Sequence, residues 1–468
     1  MIPCTLLQLA ERSGSALRRG ESGLIIKRLH TDTRTLQPGD CFVALKGEKF
    51  DGNDYVAEAA AKGAAAALVS RIENPSTLPE GFGLVEAGDT LIALQKFAAD
   101  YRARLSVRVV GVTGSSGKTS TKEMTANVLR QHYKTHATQG NLNNHIGVPR
   151  TLLALEEEHE FAVVEMGMNH PGELKPLVNM ATPEIGLITN VGSAHIEFFK
   201  DPAGIALEKS EMIANLPNNG VAVLNADDPW TAVIRARTHA RVVLAGLSSQ
   251  AEWRAENLEV TTRGIRFDLR HGTNKASVTL PLYSRPMVVN ALLAAAAGSC
   301  CGVTFEEIVH GLETVQLPAQ RMEVSRTPEG RWIINDAYNA NPDSMRAALQ
   351  SLKEFPAAGR KIAVLGSMGE LGDRAIELHR QIGEAAEKAN LDLLIVLGPN
   401  AHDMQHGAHG AGMKKEQILL CHKPEQALEA LKTHFSGDED CVLVKGSRFM
   451  QLEKLVQALT GVTNGGAH

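Results

Sequence analysis

Lys118 follows Gly-Ser-Ser-Gly and precedes Thr-Ser, within the stretch VVGVTGSSGKTSTKE from Val109 to Glu123. A glycine-rich turn between an apolar strand and a helix points backbone N–H groups inward, where they can hold phosphate oxygens, and the helix dipole adds positive potential. In that arrangement Gly114, Ser115, Ser116 and Gly117 form the cradle, and Lys118 neutralises the β- and γ-phosphates. The Thr119 hydroxyl completes a Mg²⁺ shell, and Ser120 follows in the same helical turn. The strict pattern G-x-x-x-x-G-K-[ST] is missed, because position 112 is Val112 and the glycines stand at Gly111 and Gly114. A standard GTPase or small-molecule kinase is therefore a poor fit, and a narrower family is indicated.

Two further residues suit chemistry beside such a loop. Glu165 follows the apolar run FAVV, which places it at a strand's end, where open parallel sheets bind ligands. His195, in NVGSAHIE, follows another strand-like run and is expected at the same sheet edge. On its own it reads equally as a hydrogen-bonded loop histidine.

The elements that must position these residues alternate. Strand-like runs recur at VRVVGV, FAVVEMG, IGLITNVG and GVAVLNAD between helical stretches, which is the rhythm of a parallel sheet covered by helices. The stretch from Trp253 to Leu282 instead alternates in short, turn-punctuated strands and predicts an antiparallel insert. A second alternating unit begins near Leu317, with strands RWIINDAY, KIAVLGSM, LDLLIVLG and CVLVKGS. No G-x-G-x-x-G follows its first strand, which disfavours bound NAD. Before the phosphate loop, CFVAL reads as a strand, DYVAEAAAKGAAAALV as a helix leading to a strand, and DTLIALQKFAADYRARL as an amphipathic helix. The tail GVTNGGAH is expected to fray.

Composition narrows the function classes. A chain of 468 residues predicts two to four domains, and 43% hydrophobic with 22% charged residues is ordinary for a soluble globular protein. A net charge of -5 and 4% aromatic residues give no bulk attraction for nucleic acid or anionic membrane and few stacking platforms. Six scattered cysteines without a C-x-x-C read as small buried thiols in a reducing cytosol. The N-terminus lacks a basic signal-peptide region, and the run VVNALLAAAAGSCCGV is too short for a membrane span and is broken by Gly298. A cytoplasmic protein is expected.

Several more stretches stand in order along the chain: TQGNLNNHIGVP, VVEMGMNHPGE, TNVGSAHIE, IALEKSEM, LNADDP, PAQRMEV and NDAYNANPDSM. Together with the phosphate loop they resemble the Mur ligases, the ATP-dependent amide ligases of peptidoglycan precursor synthesis. DAYNANPDSM, VLGSMGELG and VKGSR match the branch that adds D-alanyl-D-alanine to UDP-N-acetylmuramoyl-tripeptide. The resemblance implies an α/β chain of three domains. These are a small N-terminal α/β domain holding the UDP-sugar (1–88), a central P-loop parallel-sheet ATPase domain (89–316) and a C-terminal Rossmann-like, dinucleotide-fold domain (317–468). It also implies a monomer that uses ATP and two Mg²⁺ ions.

The site residues carried by the resemblance are specific. Glu165 becomes a Mg²⁺ ligand and His195 a ligand of the second metal. Lys209, in ALEKSEM, corresponds to a lysine carbamylated by CO₂ in several members; an unmodified lysine paired with Glu208 or Glu211 is the plain alternative. Asn290 falls near the nucleotide base and Arg321 at the γ-phosphate. Asp336, Tyr338, Asn339 and Asn341 face ATP, with Asp336 at the ribose. Asp32, Thr33, Arg34 and the CFVALKG strand with Lys46 and Gly47 match the UDP-binding region. Asn141, Asn143 and Asn144 are candidate sugar or peptide contacts, though asparagine-rich turns also form on conformational grounds alone. Lys445 and Arg448 are candidates for the peptide or dipeptide carboxylates, against the usual role of such charges in a solvated loop. Many members carry G-D-M where this chain has Gly366-Ser367-Met368, which removes a charge near the expected dipeptide end. Rival readings are a Mur-type ligase adding a single amino acid, a folylpolyglutamate synthase-like ligase, a phosphotransferase without ligation, and a nucleotide-gated binding module.

Overall fold

The computed structural model describes residues 1–72 and 74–461. The tail expected to fray lies outside the described residues from Val462 onward. The chain divides into two compact units. The first comprises 1–111, 133–168 and 173–184, and the second 112–132, 169–172 and 185–468.

In the first unit a five-stranded sheet takes the order Ala16–Arg19, Gly83–Glu86, Ala66–Val69, Asp40–Val43, Arg28–His30. The first pairing is antiparallel and the rest are parallel. Cys41-Phe42-Val43 and Ala66 to Val69 are buried throughout, as expected of parallel strands covered on both faces. The expected CFVAL strand and the helix Val56–Ala61 leading to Ala66–Val69 are both present. The helix Thr90–Ala103 is started by Asp89, whose carboxylate accepts from the N–H groups of Leu91 and Ile92. The strand Phe161–Glu165 pairs in parallel with Thr135–Ala137.

The strand Arg108–Thr113 carries the chain from the first unit into the second, where the phosphate loop begins. In the second unit Ile185–Ile188, Val221–Asn225 and Arg241–Gly246 run parallel. Trp253–Thr261, Gly264–His271 and Asn274–Leu280 extend them as the expected antiparallel insert. The alanine-rich run forms the helix Arg285–Cys300, buried nearly all round, which is how a helix apolar on every side is accommodated in a soluble core. Gly298 lies inside this helix and does not break it: a β-carbon there would stand 2.4 Å from a methyl of Val128, so the glycine permits close packing on the helix Lys118–Arg130. Among the described residues no helix is long and apolar enough to cross a membrane.

A six-stranded sheet completes the unit in the order Glu323–Arg326, Trp332–Asp336, Cys441–Lys445, Lys361–Gly366, Leu393–Leu397, Ile418–Cys421. All its pairings are parallel except the first. Its core is built from aliphatic strand residues such as Ile333, Ile362, Ile395 and Val442. All six cysteines are free; five are buried and Cys300 is half-buried.

Candidate active site

The displaced glycine is explained by the strand. Val112 is a fully buried strand residue, and the loop proper is Gly114 to Gly117. Gly114 has φ +153° and Gly117 φ +77°, both conformations that side chains disfavour. A β-carbon at Gly114 would fall 1.7 Å from Thr189 Oγ1, and one at Gly117 2.8 Å from the amide of Asn290. Gly117 opens the helix Lys118–Arg130, and no side chain caps it, so its first N–H groups face the loop as an anion site requires. Lys118 Nζ donates to Gly114 O at 2.7 Å, and Thr119 and Ser120 are buried in the first turn.

The segment 189–197 is laced to this loop. Thr189 Oγ1 donates to Ser116 O at 2.6 Å, Ser116 N to Asn190 Oδ1 at 3.0 Å, and Asn190 Nδ2 to Ser116 Oγ at 2.8 Å. Ser115 N donates to Asn190 O at 3.0 Å and Gly192 N to Ser115 Oγ at 2.8 Å. Within TNVGSAHIE only His195 carries a chemical signature of its own, yet Thr189 and Asn190 hold the loop's shape. Their signal was present as polar residues directly after the strand IGLI.

His195 stands in the left-handed region at φ +62° and Glu370 at φ +59°. His195 Nδ1 lies 2.6 Å from Glu370 Oε2, close enough for an ion pair but not aligned as a hydrogen bond. The contact holds the Glu370 carboxyl below its usual range. Two residues outside the glycine class in this conformation are strained, and such strain concentrates at functional sites.

Lys209, on the helix Pro202–Ala214, is among the largest fully enclosed side chains. Burial pushes its pKa well below 10.5; the Lys118 charge lowers it further, and Glu208 opposes. Glu208, one of the two carboxylates of the plain alternative, also accepts from Gly172 N at 2.9 Å. A neutral amine is the form that can take up CO₂.

In the first unit Glu165 is 2% exposed. Its Oε1 accepts from Asn143 Nδ2 at 2.7 Å, whereas Oε2 is buried without a partner. An orphaned carboxylate oxygen is a hard donor of the kind Mg²⁺ takes, so the residue fits a metal ligand. Among the described residues no group of three or more His, Cys, Asp or Glu forms a metal cage. A nucleotide-bound Mg²⁺ needs none, because phosphates and waters supply most of its shell.

Just before the helix Gly147–Leu153, Asn144 Oδ1 accepts from Ile146 N and Gly147 N, and Asn141 O accepts from Asn143 N at 2.8 Å. So Asn143 reaches the candidate carboxylate while Asn144 does the conformational work of a turn. Asp32 accepts from Arg34 N and from its guanidinium at 2.7–3.2 Å, and these bonds hold the Asp32 carboxyl at about 2. Arg34 is otherwise exposed; Thr33 starts the short helix Thr33–Thr35, and Lys46 and Gly47 lie in an exposed turn.

Farther along, Arg321 stacks over Tyr338 at 4.1 Å. Its neighbours Gln320 and Met322 are both left-handed, at φ +66° and +52°. Asp336 Oδ1 accepts from Met322 N at 3.1 Å, and its Oδ2 lies 2.6 Å from Lys445 Nζ, which also donates to Asn339 O at 2.9 Å. Lys445, the candidate for a substrate carboxylate, is not a solvated loop charge: it ends a strand, is 2% exposed, and sits opposite Asp336 in the sheet register. Arg448 is exposed and pairs with Glu453. Asn341 caps the helix Pro342–Glu354 by accepting from Ser344 N. Ser367 is also internal: its hydroxyl donates to Leu397 O at 3.3 Å and accepts from Asn400 N at 3.0 Å.

Three family models match the chain: the Mur ligase family catalytic domain over 25–102, the Mur ligase middle domain over 112–298, and the Mur ligase glutamate ligase domain over 320–448. The UDP-N-acetylmuramoyl-tripeptide–D-alanyl-D-alanine ligase of Escherichia coli is 39% identical, with 98% of this chain and 99% of the relative covered. The crystal structure of MurF from Acinetobacter baumannii superposes with TM-score 0.89 at 33% identity, covering 98% of this chain and 99% of that one. MurF from Thermotoga maritima, solved with ADP, gives TM-score 0.82 at 29% identity over 93% of this chain and 97% of that one. With its phosphate loop, the laced 189–197 segment and a match running from one end to the other, the chain belongs to the Mur ligase family.

Proposed function

We propose that the protein is an ADP-forming ligase that joins D-alanyl-D-alanine to UDP-N-acetylmuramoyl-tripeptide in cytoplasmic peptidoglycan precursor synthesis. The observation that carries this reading is the end-to-end likeness to ligases named for that reaction. The proposed division is 1–88 for the UDP-sugar, 89–316 for ATP and 317–468 for the closing domain, in a monomer.

A carboxylate acylates poorly because oxide would have to leave. In the proposed reaction a carboxylate oxygen of the tripeptide attacks the γ-phosphorus, and the bond to ADP breaks. The dipeptide amine then attacks the acyl carbon, a C–N bond forms, and phosphate departs with the carboxylate oxygen as the amine loses its proton. Gly114 to Gly117 hold the phosphates by backbone N–H groups, Lys118 balances their charge, and Arg321, presented by its left-handed neighbours and the Tyr338 ring, meets the γ-phosphate. Two Mg²⁺ ions would be held by Thr119, Glu165, His195 and Lys209, and bound Mg²⁺ supplies charge neutralisation between nucleotide and carboxylate. Lys209 fits its part as a carbamate: the neutral amine nitrogen bonds to the carbon of CO₂ and loses one proton, turning a buried base into an anion. Asn290, beside Gly117, and Asp336, Tyr338 and Asn339 serve the nucleotide. Asp32, Thr33, Arg34, Lys46 and Gly47 serve the UDP group, and Asn141, Asn143 and Arg448 the sugar and peptide. Lys445 is assigned to holding Asp336, given their 2.6 Å contact.

The test is phosphate release with ATP, Mg²⁺ and the UDP-tripeptide, with and without D-alanyl-D-alanine, followed by mass spectrometry of the UDP-sugar. Release that requires the dipeptide and yields a pentapeptide product is expected. Turnover with a single amino acid instead would keep the family and overturn the dipeptide assignment.

A further inference from the structure

The 189–197 segment is held on its far side by two carboxylates. Asp228 Oδ2 accepts from Val191 N at 2.7 Å. Asp343 Oδ2 accepts from Ser193 N at 2.8 Å and from Ser193 Oγ at 3.0 Å. Asp343 stands in the first turn of the helix Pro342–Glu354, 150 residues beyond Ser193. It lies within the stretch matching the glutamate ligase domain, whereas Ser193 lies within the middle-domain match; both belong to the second compact unit. An acid in a first helical turn is ordinarily accounted for by the helix dipole, and Arg346 takes its Oδ1 at 2.7 Å. Neither accounts for Oδ2, which reaches out of the helix to Ser193.

Gly192 supports the same contact. A β-carbon there would lie 2.3 Å from Asp343 Oδ2, and the residue is not among the positive-φ glycines, so backbone conformation alone does not call for glycine. From Ser193 the connection continues through Gly192 N to Ser115 Oγ, and through Asn190 to Ser116, into the phosphate loop.

We propose that Asp343 is a positioning residue that sets the phosphate loop: its carboxylate fixes the 189–197 segment, so the nucleotide cradle takes its working shape only when the Pro342–Glu354 helix is seated. This rests on the phosphate loop being a nucleotide site, as proposed above. Asp343 acts through Ser193 and Gly192 and touches no substrate.

The experiment uses the full chain and four variants: Asp343→Ala, Asp343→Asn, Gly192→Ala and the double variant Asp343→Ala/Gly192→Ala. The side chain of Asp343 is 38% exposed, so its removal leaves the core intact. Two readouts are taken, the dissociation constant for ADP and the kcat and KM for ATP and the UDP-tripeptide. Asp343→Ala is expected to weaken ADP binding and lower kcat/KM for ATP by on the order of tenfold, as lost hydrogen bonds to a charged group do, with KM for the UDP-tripeptide unchanged. Asp343→Asn recovers part of the loss, because an amide oxygen still accepts from Ser193. Gly192→Ala matches Asp343→Ala, and in the double variant it adds less than about twofold, since the oxygen it collides with is gone. Wild-type values in Asp343→Ala, or full multiplication of the two effects, would overturn the proposal. If the wild type binds ADP and the variants follow this pattern while no ligated product forms, the ligase reading fails and the positioning role stands. If ligation proceeds and the variants match wild type, the reverse holds.

Discussion

Replacing Lys209 with methionine separates what the lysine does for chemistry from what it does to stability. The amine is enclosed, and burial first, then the Lys118 charge, set its pKa well below 10.5. The unfolded chain keeps a proton on this lysine up to about pH 10.5, whereas the folded chain releases it much earlier. Between those two values the unfolded state binds one proton more, so stability rises with pH by about 1.4 kcal/mol per unit and levels off above 10.5. At about pH 9, roughly one and a half units below the upper value, the penalty is about 2 kcal/mol, and methionine does not carry it. In CO₂-free buffer Lys209→Met is therefore expected to be the more stable protein by about 2 kcal/mol near pH 9, with the gap closing toward pH 10.5. Ligation should nonetheless fall by at least about 100-fold, the scale for losing an electrostatic group beside a transferring phosphoryl. Urea unfolding of both proteins at a series of alkaline pH values, alongside phosphate release at neutral pH, measures both quantities. A gap that stays constant with pH, or a variant less stable throughout, would show that the amine is not the desolvated neutral group described. Adding bicarbonate should raise the activity of the wild type and leave the variant unmoved.

Glu165→Gln keeps the oxygen that accepts from Asn143 and loses the charge on the orphaned one; ligation should drop by about 100- to 1,000-fold, with the melting temperature shifting by only a few degrees, read by phosphate release and calorimetry. Gly114→Ala forces a β-carbon onto the Thr189 hydroxyl at a glycine-only φ. Strain of about 1–3 kcal/mol plus a lost bond to Ser116 of about 1 kcal/mol predicts ADP binding weaker by roughly 30-fold or more in a titration. His379 is buried: its Nε2 accepts from Met368 N at 2.8 Å and its Nδ1 faces Ala375 O at 2.7 Å. Burial lowers its pKa, with the Asp403 carboxylate partly opposing, so the unfolded chain takes up the proton first. Stability should fall as pH drops below 6.5, by up to about 1.4 kcal/mol per unit until the folded-state pKa is reached, and His379→Leu should lose that slope in acid unfolding curves.

The alternation of strands and helices was legible because apolar runs such as FAVVE and LLIVL carry their own period and length. The helix Ala401–Gly410 was not, since HDMQHGAHG is polar and glycine-containing with no clear apolar stripe. Its reason is tertiary: a β-carbon at Gly407 would meet Arg380 O at 2.0 Å, and one at Gly383 would meet Met404 O at 2.0 Å, so two helices touch backbone to backbone. At the site, the residues with chemical signatures were readable, namely the glycine-lysine-threonine turn and Glu165 at its strand end. Asp343 and Ser193 were not, because a hydrogen bond across 150 residues leaves no local pattern. Lys445 was legible only in part: CVLVKGS reads as a strand, but only the register of that strand places its lysine against Asp336. Ser367 is visible in the sequence only as a lost charge near the expected dipeptide end; its bonds to Asn400 and Leu397 leave no local pattern.

If the phosphate loop serves to activate a carboxylate, an oxygen of that carboxylate must leave on phosphate. The measurement that bears on it most directly starts from UDP-N-acetylmuramoyl-tripeptide labelled with ¹⁸O in its terminal carboxylate, turned over with ATP and D-alanyl-D-alanine, with mass analysis of the released phosphate. One labelled oxygen in the phosphate for every peptide bond formed is the predicted result, because the carboxylate oxygen leaves on phosphorus. Phosphate free of label, accompanied by pentapeptide product, would contradict the acyl-phosphate account.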